Sequence, residues 1–276
     1  MDEALRQQYL KAMGITAWER RDLPSSAEPV VEERPAEEGK NSPDETLPPQ
    51  GEDWDGGYPP EMDVPPPYEE IPPDWEPVSL SGEAEIPLSS LDWDGLRERV
   101  RTCRACGLRA GCTQTVFGVG NPQADLLVIG EAPGADEDRQ GEPFVGRAGQ
   151  LLNAMLLAMG FRREQVFIAN ILKCRPPNNR DPRPEEALQC EPFLLRQIEL
   201  IQPKVILSAG RISAQNLLKT DIAVGKLRGR VHRFGERQIP LVVSYHPAYL
   251  LRSPEQKGKS WDDMQLVLSI LRGISW

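Results

Sequence analysis

Four short apolar runs alternate with helical patterns in the C-terminal two thirds of the chain, and this alternation constrains the fold more than any other feature. The apolar runs cover residues 125–131, 165–173, 204–209 and 239–245. The helical patterns cover residues 149–159, 184–201, 212–218 and 261–271. Strands that are apolar throughout and separated by helices are typical of a parallel sheet covered on both faces. We therefore expect an α/β domain with three α/β/α layers around a mostly parallel, four-stranded sheet.

Charge and proline content divide the chain near residue 87. Residues 1–87 hold six Lys and Arg, 22 Asp and Glu, and 15 of the 27 prolines, whereas residues 88–276 hold 26 basic and 20 acidic residues. We expect residues 21–87 to be a disordered acidic linker, because they have too few apolar residues to offset the entropy of ordering. Residues 88–276 suffice for one domain with a sizeable core. The net charge of +6 on that domain favours a polyanionic partner, although a slightly basic solvated surface would give the same count.

The sequence contains neither a recognisable membrane-spanning segment nor a recognisable signal peptide. No apolar run approaches the roughly 18 residues that a membrane span needs. The first five residues lack the basic-then-apolar order of a signal peptide. An odd number of cysteines without such a signal argues for reduced thiols. We therefore expect a cytoplasmic protein that does not bind membranes.

Four cysteines form two separated pairs that predict a metal site. Two residues separate Cys103 from Cys106, and fifteen residues separate Cys174 from Cys190. Four thiolates from two distant segments suit either tetrahedral zinc or a [4Fe–4S] cluster, and the spacing differs from the paired short knuckles of a zinc ribbon. Cys190 lies within a predicted helix, where a core cysteine is the alternative. The fifth, Cys112, is interpreted as an ordinary buried or partly exposed thiol.

Three polar side chains follow three of the predicted strands. Glu131, Asn170 and His246 each lie at a strand end, and ligands bind beyond the carboxyl ends of strands in such sheets. Each residue alone would be interpreted as structural, since acidic turns, strand-end amides and His-Pro loops are common. Their joint placement predicts one shared active site. The chain lacks a GxGxxG motif after the first strand and a complete GxxxxGK[ST] motif, so dinucleotide-binding and Walker fingerprints are absent.

Several motifs, in the same order, resemble those of the family 4 uracil-DNA glycosylases, the iron–sulfur branch of that superfamily. The resemblance covers roughly residues 95–272. The segments that carry it are 103–106 (CRAC), 130–134 (GEAPG), 143–149 (PFVGRAG), Asn170 with 173–177 (KCRPP), Cys190 and 246–252 (HPAYLLR). It implies a [4Fe–4S] cluster held by Cys103, Cys106, Cys174 and Cys190. It also implies a monofunctional enzyme that removes uracil from DNA and leaves an abasic site, the first step of base excision repair.

The resemblance gives each site residue a role that is chemically reasonable. Glu131 would position a water and stabilise the cationic sugar, and His246 would donate to uracil O2. Asn170 would donate to uracil O4 and accept from N3–H, a pattern that cytosine does not match. Phe144 would stack on the extruded base.

Further residues would complete the base and DNA contacts. Gly130, Ala132 and Gly134 form the turn that carries the acid and would line the base pocket. Leu250 or Leu251 would enter the vacated base stack, and Arg252 would meet a phosphate. A related branch traps the sugar with an inserted Lys-Arg-Arg-Ile-His run, which is absent here. We therefore expect free turnover.

The N-terminal segment carries a second, separate resemblance. Residues 1–20 predict a short amphipathic helix, and residues 9–18 (YLKAMGITAW) resemble the N-terminal peptide of the ψ subunit of the bacterial clamp loader. The resemblance implies that Trp18 anchors this helix in a groove of the clamp loader. The alternative is a frayed terminal helix without a partner.

Two rival functions share some of these features. A zinc-containing nucleic-acid-binding module without catalysis would have the same cysteines and basic domain. A replisome adaptor would act through the N-terminal peptide and leave uracil-containing DNA intact. We expect the protein to act on uracil-containing DNA as a monomer.

Overall fold

A computed structural model describes residues 86–274, and a six-stranded sheet lies at its centre. The strands are β1 (Val119–Gly120), β2 (Leu126–Gly130), β3 (Phe167–Asn170), β4 (Val205–Ala209), β5 (Val231–Phe234) and β6 (Ile239–Ser244). Their order across the sheet is β1-β3-β2-β4-β6-β5. The inner strands β3, β2, β4 and β6 pair in parallel. The four predicted strands are therefore confirmed.

The predicted strand count of four is wrong, because the sheet has two antiparallel edge strands. β1 pairs with β3 and β5 pairs with β6, each in antiparallel register. An edge strand is paired on one side and partly solvated, so it need not be apolar throughout. β1 has only two residues, and β5 reads Val-His-Arg-Phe. Neither gives the continuous apolar run by which the inner strands were predicted.

Nine α-helices lie between residues 86 and 274, and short 3₁₀ turns precede or follow some of them. The helices are α1 (Trp93–Thr102), α2 (Leu108–Gly111), α3 (Ala135–Gln140), α4 (Arg147–Ala158), α5 (Pro184–Ile201), α6 (Arg211–Leu218), α7 (Val224–Leu227), α8 (Pro247–Arg252) and α9 (Lys257–Leu271). The 3₁₀ turns are Leu88–Ser90, Arg163–Gln165, Pro177–Asn179 and Pro254–Gln256. Within this part of the chain, no helix has both the length and the apolar character that crossing a membrane requires.

Two cores, one on each face of the sheet, make the three predicted layers. Leu127 and Ile129 of β2 pack with α1, α5 and α6 on one face. Leu126 and Val128 pack with α4, α8 and α9 on the other. Successive strand residues point to opposite faces, so β2 must be apolar at every position to serve both cores. This is the reason for the continuous apolar runs in the sequence.

The observed helix bounds agree closely with the predicted bounds where capping residues mark the start of a helix. α5 runs from Pro184 to Ile201, as predicted; its first turn begins with proline, and Glu186 accepts a hydrogen bond from the Arg183 main-chain N–H at 2.8 Å. α9 begins at Lys257 rather than at residue 261, since its first turn is polar and gives no apolar periodicity. The predictions for residues 1–20 and for the linker up to residue 85 lie outside the described residues.

Candidate active site

The register of β2 and β3 places two of the predicted site residues side by side. Gly130 ends β2 and pairs with Asn170 at the end of β3. A β-carbon on Gly130 would lie 2.5 Å from Asn170 Oδ1 and 2.6 Å from the Phe144 ring, so only glycine fits there. Glu131 follows directly in the chain. The carboxyl ends of β2 and β3 therefore bring an acid, an amide and an aromatic ring close together.

Asn170 offers an acceptor that nothing in the described part of the chain satisfies. Its side chain is 2% exposed, and Oδ1 has no hydrogen-bond partner there. A buried polar atom without a partner costs about 1–3 kcal/mol relative to a satisfied one. A ligand that brings a donor to this position would remove that cost.

Glu131 is an acid with a strongly perturbed affinity for protons. Burial, and then the charge of Asp181, raise the pKa of its carboxyl to about 7 against the opposing effect of Arg211. Asp181 and Arg211 form an ion pair with each other at the surface. A carboxyl that changes charge near neutral pH is typical of an active site.

The His246 imidazole is neutral, and a main-chain N–H fixes which of its ring nitrogens carries the proton. It is the N-cap of α8, and its Nδ1 accepts the main-chain N–H of Ala248 at 3.1 Å. Burial lowers the pKa of its imidazole to about 4, Arg252 adds to this effect, and Glu137 opposes it. Because Nδ1 is an acceptor in the neutral ring, the proton lies on Nε2. The free Nε2–H is therefore a donor of fixed direction.

The rings of His246 and Phe144 stack on one another, which joins the third strand end to the other two. Their centroids are 5.5 Å apart and the ring planes differ by 27°. Gly210, at the end of β4, has φ +99°, and a β-carbon there would lie 2.8 Å from the His246 β-carbon. The close approach of β4 to His246 thus requires glycine. Four neighbouring strand ends thereby contribute to one site.

Glu137 of α3 connects the two loops that border the site. Its Oε2 accepts the Gly134 N–H at 3.1 Å, and its Oε1 accepts the N–H groups of Val145 and Gly146 at 2.9 and 3.3 Å. The first loop contains Glu131 and Ala132, and the second contains Phe144. One carboxylate thus fixes the acid and the aromatic ring relative to each other.

The structure separates the two leucines that were predicted to contact DNA. Leu250 is 1% exposed and packs in the core between α4, α8 and α9. It cannot enter a base stack without leaving that core, so its assignment to DNA contact is corrected. Leu251 is 36% exposed and Arg252 ends the same helix at the surface. For Leu251 and Arg252 the contact with DNA stays a prediction.

The four predicted metal ligands line one cavity, away from the acid and the imidazole. Cys103, Cys106, Cys174 and Cys190 border a recess with about 360 Å³ of empty space, part of it open to solvent. All four are free thiols. Among the described residues, no three Cys, His, Asp or Glu side chains converge tightly enough to hold a single metal ion. The four cysteine side chains therefore border a common recess but do not converge on the position of a single metal ion.

The raised pKa values of three of these thiols are consistent with a buried site whose protons a metal would displace. Burial raises the pKa values of Cys106 and Cys174, and it raises that of Cys190 to about 11. Buried thiols stay protonated until a metal displaces the protons. The Lys173 N–H donates to Cys190 Sγ at 3.3 Å and the Ala105 N–H lies 3.5 Å from Cys103 Sγ, contacts that favour ligating thiolates.

Cys112 lies beside that set, and its side chain interacts with that of Cys174. It is 8% exposed, and the Arg109 guanidinium donates to its carbonyl oxygen at 3.2 Å and contacts its sulfur at 3.8 Å. It does not border the cavity of the other four. This agrees with its interpretation as a buried thiol.

The sequence analysis missed three residues around the site. Asp181 and Arg211 act on Glu131 through their charges, and Arg163 hydrogen-bonds the loop of Phe144. Arg211 follows the third predicted strand, so the strand-end argument could have included it. Asp181 and Arg163 gave no local signal, because their role depends on contacts between distant parts of the chain.

Comparisons with known proteins agree with this geometry. The model of the uracil DNA glycosylase superfamily matches residues 117–265. The type-4 uracil-DNA glycosylase of Archaeoglobus fulgidus is 45% identical over 187 residues, which are 65% of this chain and 92% of the relative. Type-4 enzymes of Sulfurisphaera tokodaii and Pyrobaculum aerophilum are 43% and 40% identical, over 62% and 64% of this chain and 81% and 93% of their own. The chain belongs to the uracil-DNA glycosylase superfamily. Within it, these similar relatives are all of type 4.

Proposed function

We propose that the protein is a type-4 uracil-DNA glycosylase, a DNA-repair hydrolase that cleaves the N-glycosidic bond of uracil in DNA and leaves an abasic site. The observation that carries the proposal is the unpaired Oδ1 of the buried Asn170, which lies against Gly130 beside the Phe144 ring. A ligand with a matching donor removes the cost of that unpaired atom. Uracil N3–H is such a donor, and cytosine has an acceptor at the same position.

Cleavage proceeds with opposite charges developing on sugar and base. As the bond between C1′ and N1 breaks, its electron pair leaves with uracil. The sugar becomes cationic, and the Glu131 carboxylate stabilises it and orients a water that adds to C1′ and gives up a proton. The Nε2–H of His246 donates to uracil O2, where negative charge collects. A neutral imidazole is suited to this role, since its proton stays in place as the charge develops.

Base choice comes from Asn170 and Phe144. The amide Nδ2 donates to uracil O4 while Oδ1 accepts from N3–H, and the fixed orientation of the amide rejects the reversed pattern of cytosine. Phe144 supplies an aromatic face for a base that has been extruded from the duplex. Gly130, Ala132 and Gly134 shape the turn on the acid's side of this pocket.

The DNA contacts lie on the exposed side of α8. Leu251 enters the space that the base leaves, and Arg252 contacts a phosphate. Both follow His246 within a single short helix, so contact with the duplex and contact with the base are rigidly linked. The net charge of +6 on residues 88–276 supports binding to a polyanion.

The cysteine-lined cavity is proposed to hold a [4Fe–4S] cluster on Cys103, Cys106, Cys174 and Cys190. The support is the set of four thiols around one recess and the N–H groups directed at two of the sulfurs. The cluster would supply a structural link rather than redox chemistry. It would join the segment after α1, the segment after β3 and α5.

The remaining proposals concern residues 1–87 and the cellular setting. Residues 5–18, which lie outside the described residues, are proposed to bind the clamp loader, and the acidic, proline-rich residues 21–87 would connect them to the domain. A carrier protein fused to residues 1–20 should retain clamp-loader subunits, and Trp18→Ala should abolish retention. Failure of the unsubstituted peptide to retain them would end this proposal. The enzyme is proposed to be a cytoplasmic monomer.

Cleavage of a labelled duplex with a single U:G pair tests the main proposal. The full-length protein should produce an alkali-labile abasic site there and leave T:G and undamaged duplexes intact. Glu131→Gln should slow single-turnover cleavage by at least roughly 100-fold. Glu142→Gln is the matched control, since Glu142 is exposed in a neighbouring loop and should keep the original rate.

Two outcomes would favour the rival functions instead. Purified protein that is colourless, contains zinc and binds DNA without cleaving uracil would indicate a nucleic-acid-binding module. Protein that binds replication proteins through residues 1–20 but leaves every uracil substrate intact would indicate an adaptor.

A further inference from the structure

The backbone of Phe144 is held in a conformation that its own residue type disfavours. Its φ is +53°, in the left-handed region, and its ring is 6% exposed. A residue other than glycine in that region costs roughly 1–3 kcal/mol and keeps it only where the surrounding structure over-determines it. The ring contacts Gly130 and stacks on His246, so a return to the common region would move the ring out of the site.

Arg163 supplies hydrogen bonds on the carbonyl side of this loop. It lies in the 3₁₀ turn that precedes β3, nineteen residues from Phe144 in sequence. Its Nη1 donates to the Phe144 carbonyl oxygen at 3.3 Å, and its Nη2 donates to the carbonyl oxygen of Pro143. The same Nη1 also donates to Asn153 Oδ1 on α4 at 3.2 Å. The guanidinium thus ties two successive carbonyl groups of the loop to a helix and to the start of a strand.

Two further contacts restrain the rest of the loop. Glu137 accepts the N–H groups of Val145 and Gly146, on the opposite side from Arg163. Gly149 in the first turn of α4 lies against the Phe144 carbonyl group, and a β-carbon there would be 1.7 Å from its oxygen. Glu137 and Gly149 also serve other parts of the fold, by capping α3 and packing α4. Within residues 86–274, the side-chain hydrogen bonds of Arg163 go only to this loop and to Asn153.

A surface role explains Arg163 less well. Its guanidinium is half-buried, and burial lowers its pKa, with Glu142, Glu164 and Glu137 nearby acting against that effect. An arginine directed at a phosphate would extend into solvent, as the exposed side chain of its neighbour Arg162 does. The fork of Arg163 instead points at main-chain oxygens, which a planar guanidinium binds in a fixed geometry.

We propose, on the basis of the uracil-removal activity proposed above, that Arg163 is a positioning residue that locks the left-handed Phe144 backbone and so presents the ring to the extruded base. It acts through Phe144 and does not touch the substrate. Its effect belongs to the step after DNA binding, when the base must be held against the ring for C1′–N1 cleavage.

The test measures single-turnover cleavage of a U:G duplex at saturating enzyme, together with affinity for an undamaged duplex. Arg163→Gln should reduce the cleavage rate by roughly 10- to 100-fold, as misplacement by about an ångström does in other enzymes. It should leave the affinity for undamaged DNA within about twofold, because the guanidinium of Arg163 is bound to two main-chain carbonyls and to Asn153. Arg163→Lys keeps the charge and one donor direction, and should recover part of the rate.

A double-substitution cycle separates positioning from general stability. In a Phe144→Ala background, Arg163→Gln should have less than a twofold further effect, because the ring on which it acts is gone. Equal loss in both backgrounds would overturn the proposal, and so would full activity of Arg163→Gln in the unsubstituted enzyme. Arg162→Gln is the matched control and should retain the original rate.

The remaining outcomes are distinguishable. If Arg163→Gln fails to fold, the same cycle is run with Arg163→Lys, and a purely additive result there also refutes the role. If the unsubstituted protein does not cleave uracil, the proposed function fails. If it does cleave uracil and Arg163→Gln is equally fast, only the positioning role fails.

Discussion

The protonation of Glu131 should control the rate of uracil removal in the neutral pH range. Only the carboxylate stabilises a cationic sugar, and its pKa is raised to about 7 by burial and by Asp181, against the effect of Arg211. His246 has a pKa near 4 and stays neutral throughout this range. We therefore expect one ionisation to dominate the pH profile, with the rate rising as pH increases.

The size of the effect follows from the pKa. A group with a pKa of about 7 is roughly one tenth ionised at pH 6 and nine tenths ionised at pH 8, so the rate should rise about tenfold between them. Arg211→Gln removes a positive charge and moves the profile to higher pH. Asp181→Asn removes a negative charge and moves it to lower pH. Both side chains are more than half exposed, so each shift should be about half a unit, or about threefold in rate on the acidic side.

The assay is single-turnover cleavage of a U:G duplex at saturating enzyme and constant ionic strength, from pH 5.5 to 8.5. Saturation keeps the phosphate charge near Glu131 the same at every pH. Arg233→Gln serves as the control, because it removes an exposed positive charge from the edge strand β5 and should leave the midpoint unchanged. A flat profile, or shifts in the same direction for Arg211→Gln and Asp181→Asn, would refute the role assigned to Glu131.

Four other substitutions give separate expectations. Glu131→Gln should raise the free energy of unfolding by about 1–3 kcal/mol at pH 8, measured by urea denaturation. The folded pKa of about 7 exceeds the ordinary value of 4.5, so the native state loses stability as pH rises from about 4.5 to 7, and the whole loss is present at pH 8; no gain from the substitution at pH 8 would contradict this. Asn170→Asp should slow uracil removal by about 100-fold and make cytosine a detectable substrate, because a carboxylate accepts from the cytosine amino group; unchanged base preference in competition assays would oppose the amide's role. Cys174→Ala should lower both iron content and folded yield, and a folded, iron-free, fully active variant would remove the cluster assignment. Asp263→Ala leaves the Arg228 guanidinium buried without its 3.0 Å partner and should cost about 3–5 kcal/mol in urea denaturation, whereas a loss below about 1 kcal/mol would show that the pair is dispensable.

The sequence located the elements that must bury side chains on two faces. Residues 125–131 and 204–209 were recognisable because inner parallel strands are apolar at every position. The bounds of α5 were recognisable because Pro184 and the capping residue Glu186 mark its first turn. The edge strands β1 and β5 carried no such requirement, so their pairing depends on neighbours that are distant in sequence.

Some features of the candidate site could also be predicted from the sequence, and others could not. Its proposed reacting groups, Glu131, Asn170 and His246, could be selected from the sequence because the carboxyl ends of parallel strands lie on the same side of a sheet. The burial of Leu250 was not identifiable, since adjacent leucines on a short helix differ only in the face that the fold covers. The direction of the His246 donor was also hidden, because it depends on the N–H of Ala248 at the helix start.

The sequence by itself determined the family, the order of the inner strands along the chain and the identities of the reacting groups, because these depend on residue type and local periodicity. Only the tertiary structure decided the electrostatic surroundings of Glu131, the strained backbone of Phe144 and the part that Arg163 has in holding it. Those properties arise from distances between segments that the chain separates and the fold brings together. The pKa of Glu131 near 7 and the left-handed backbone conformation of Phe144 both result from tertiary packing, which no local pattern of residues specifies.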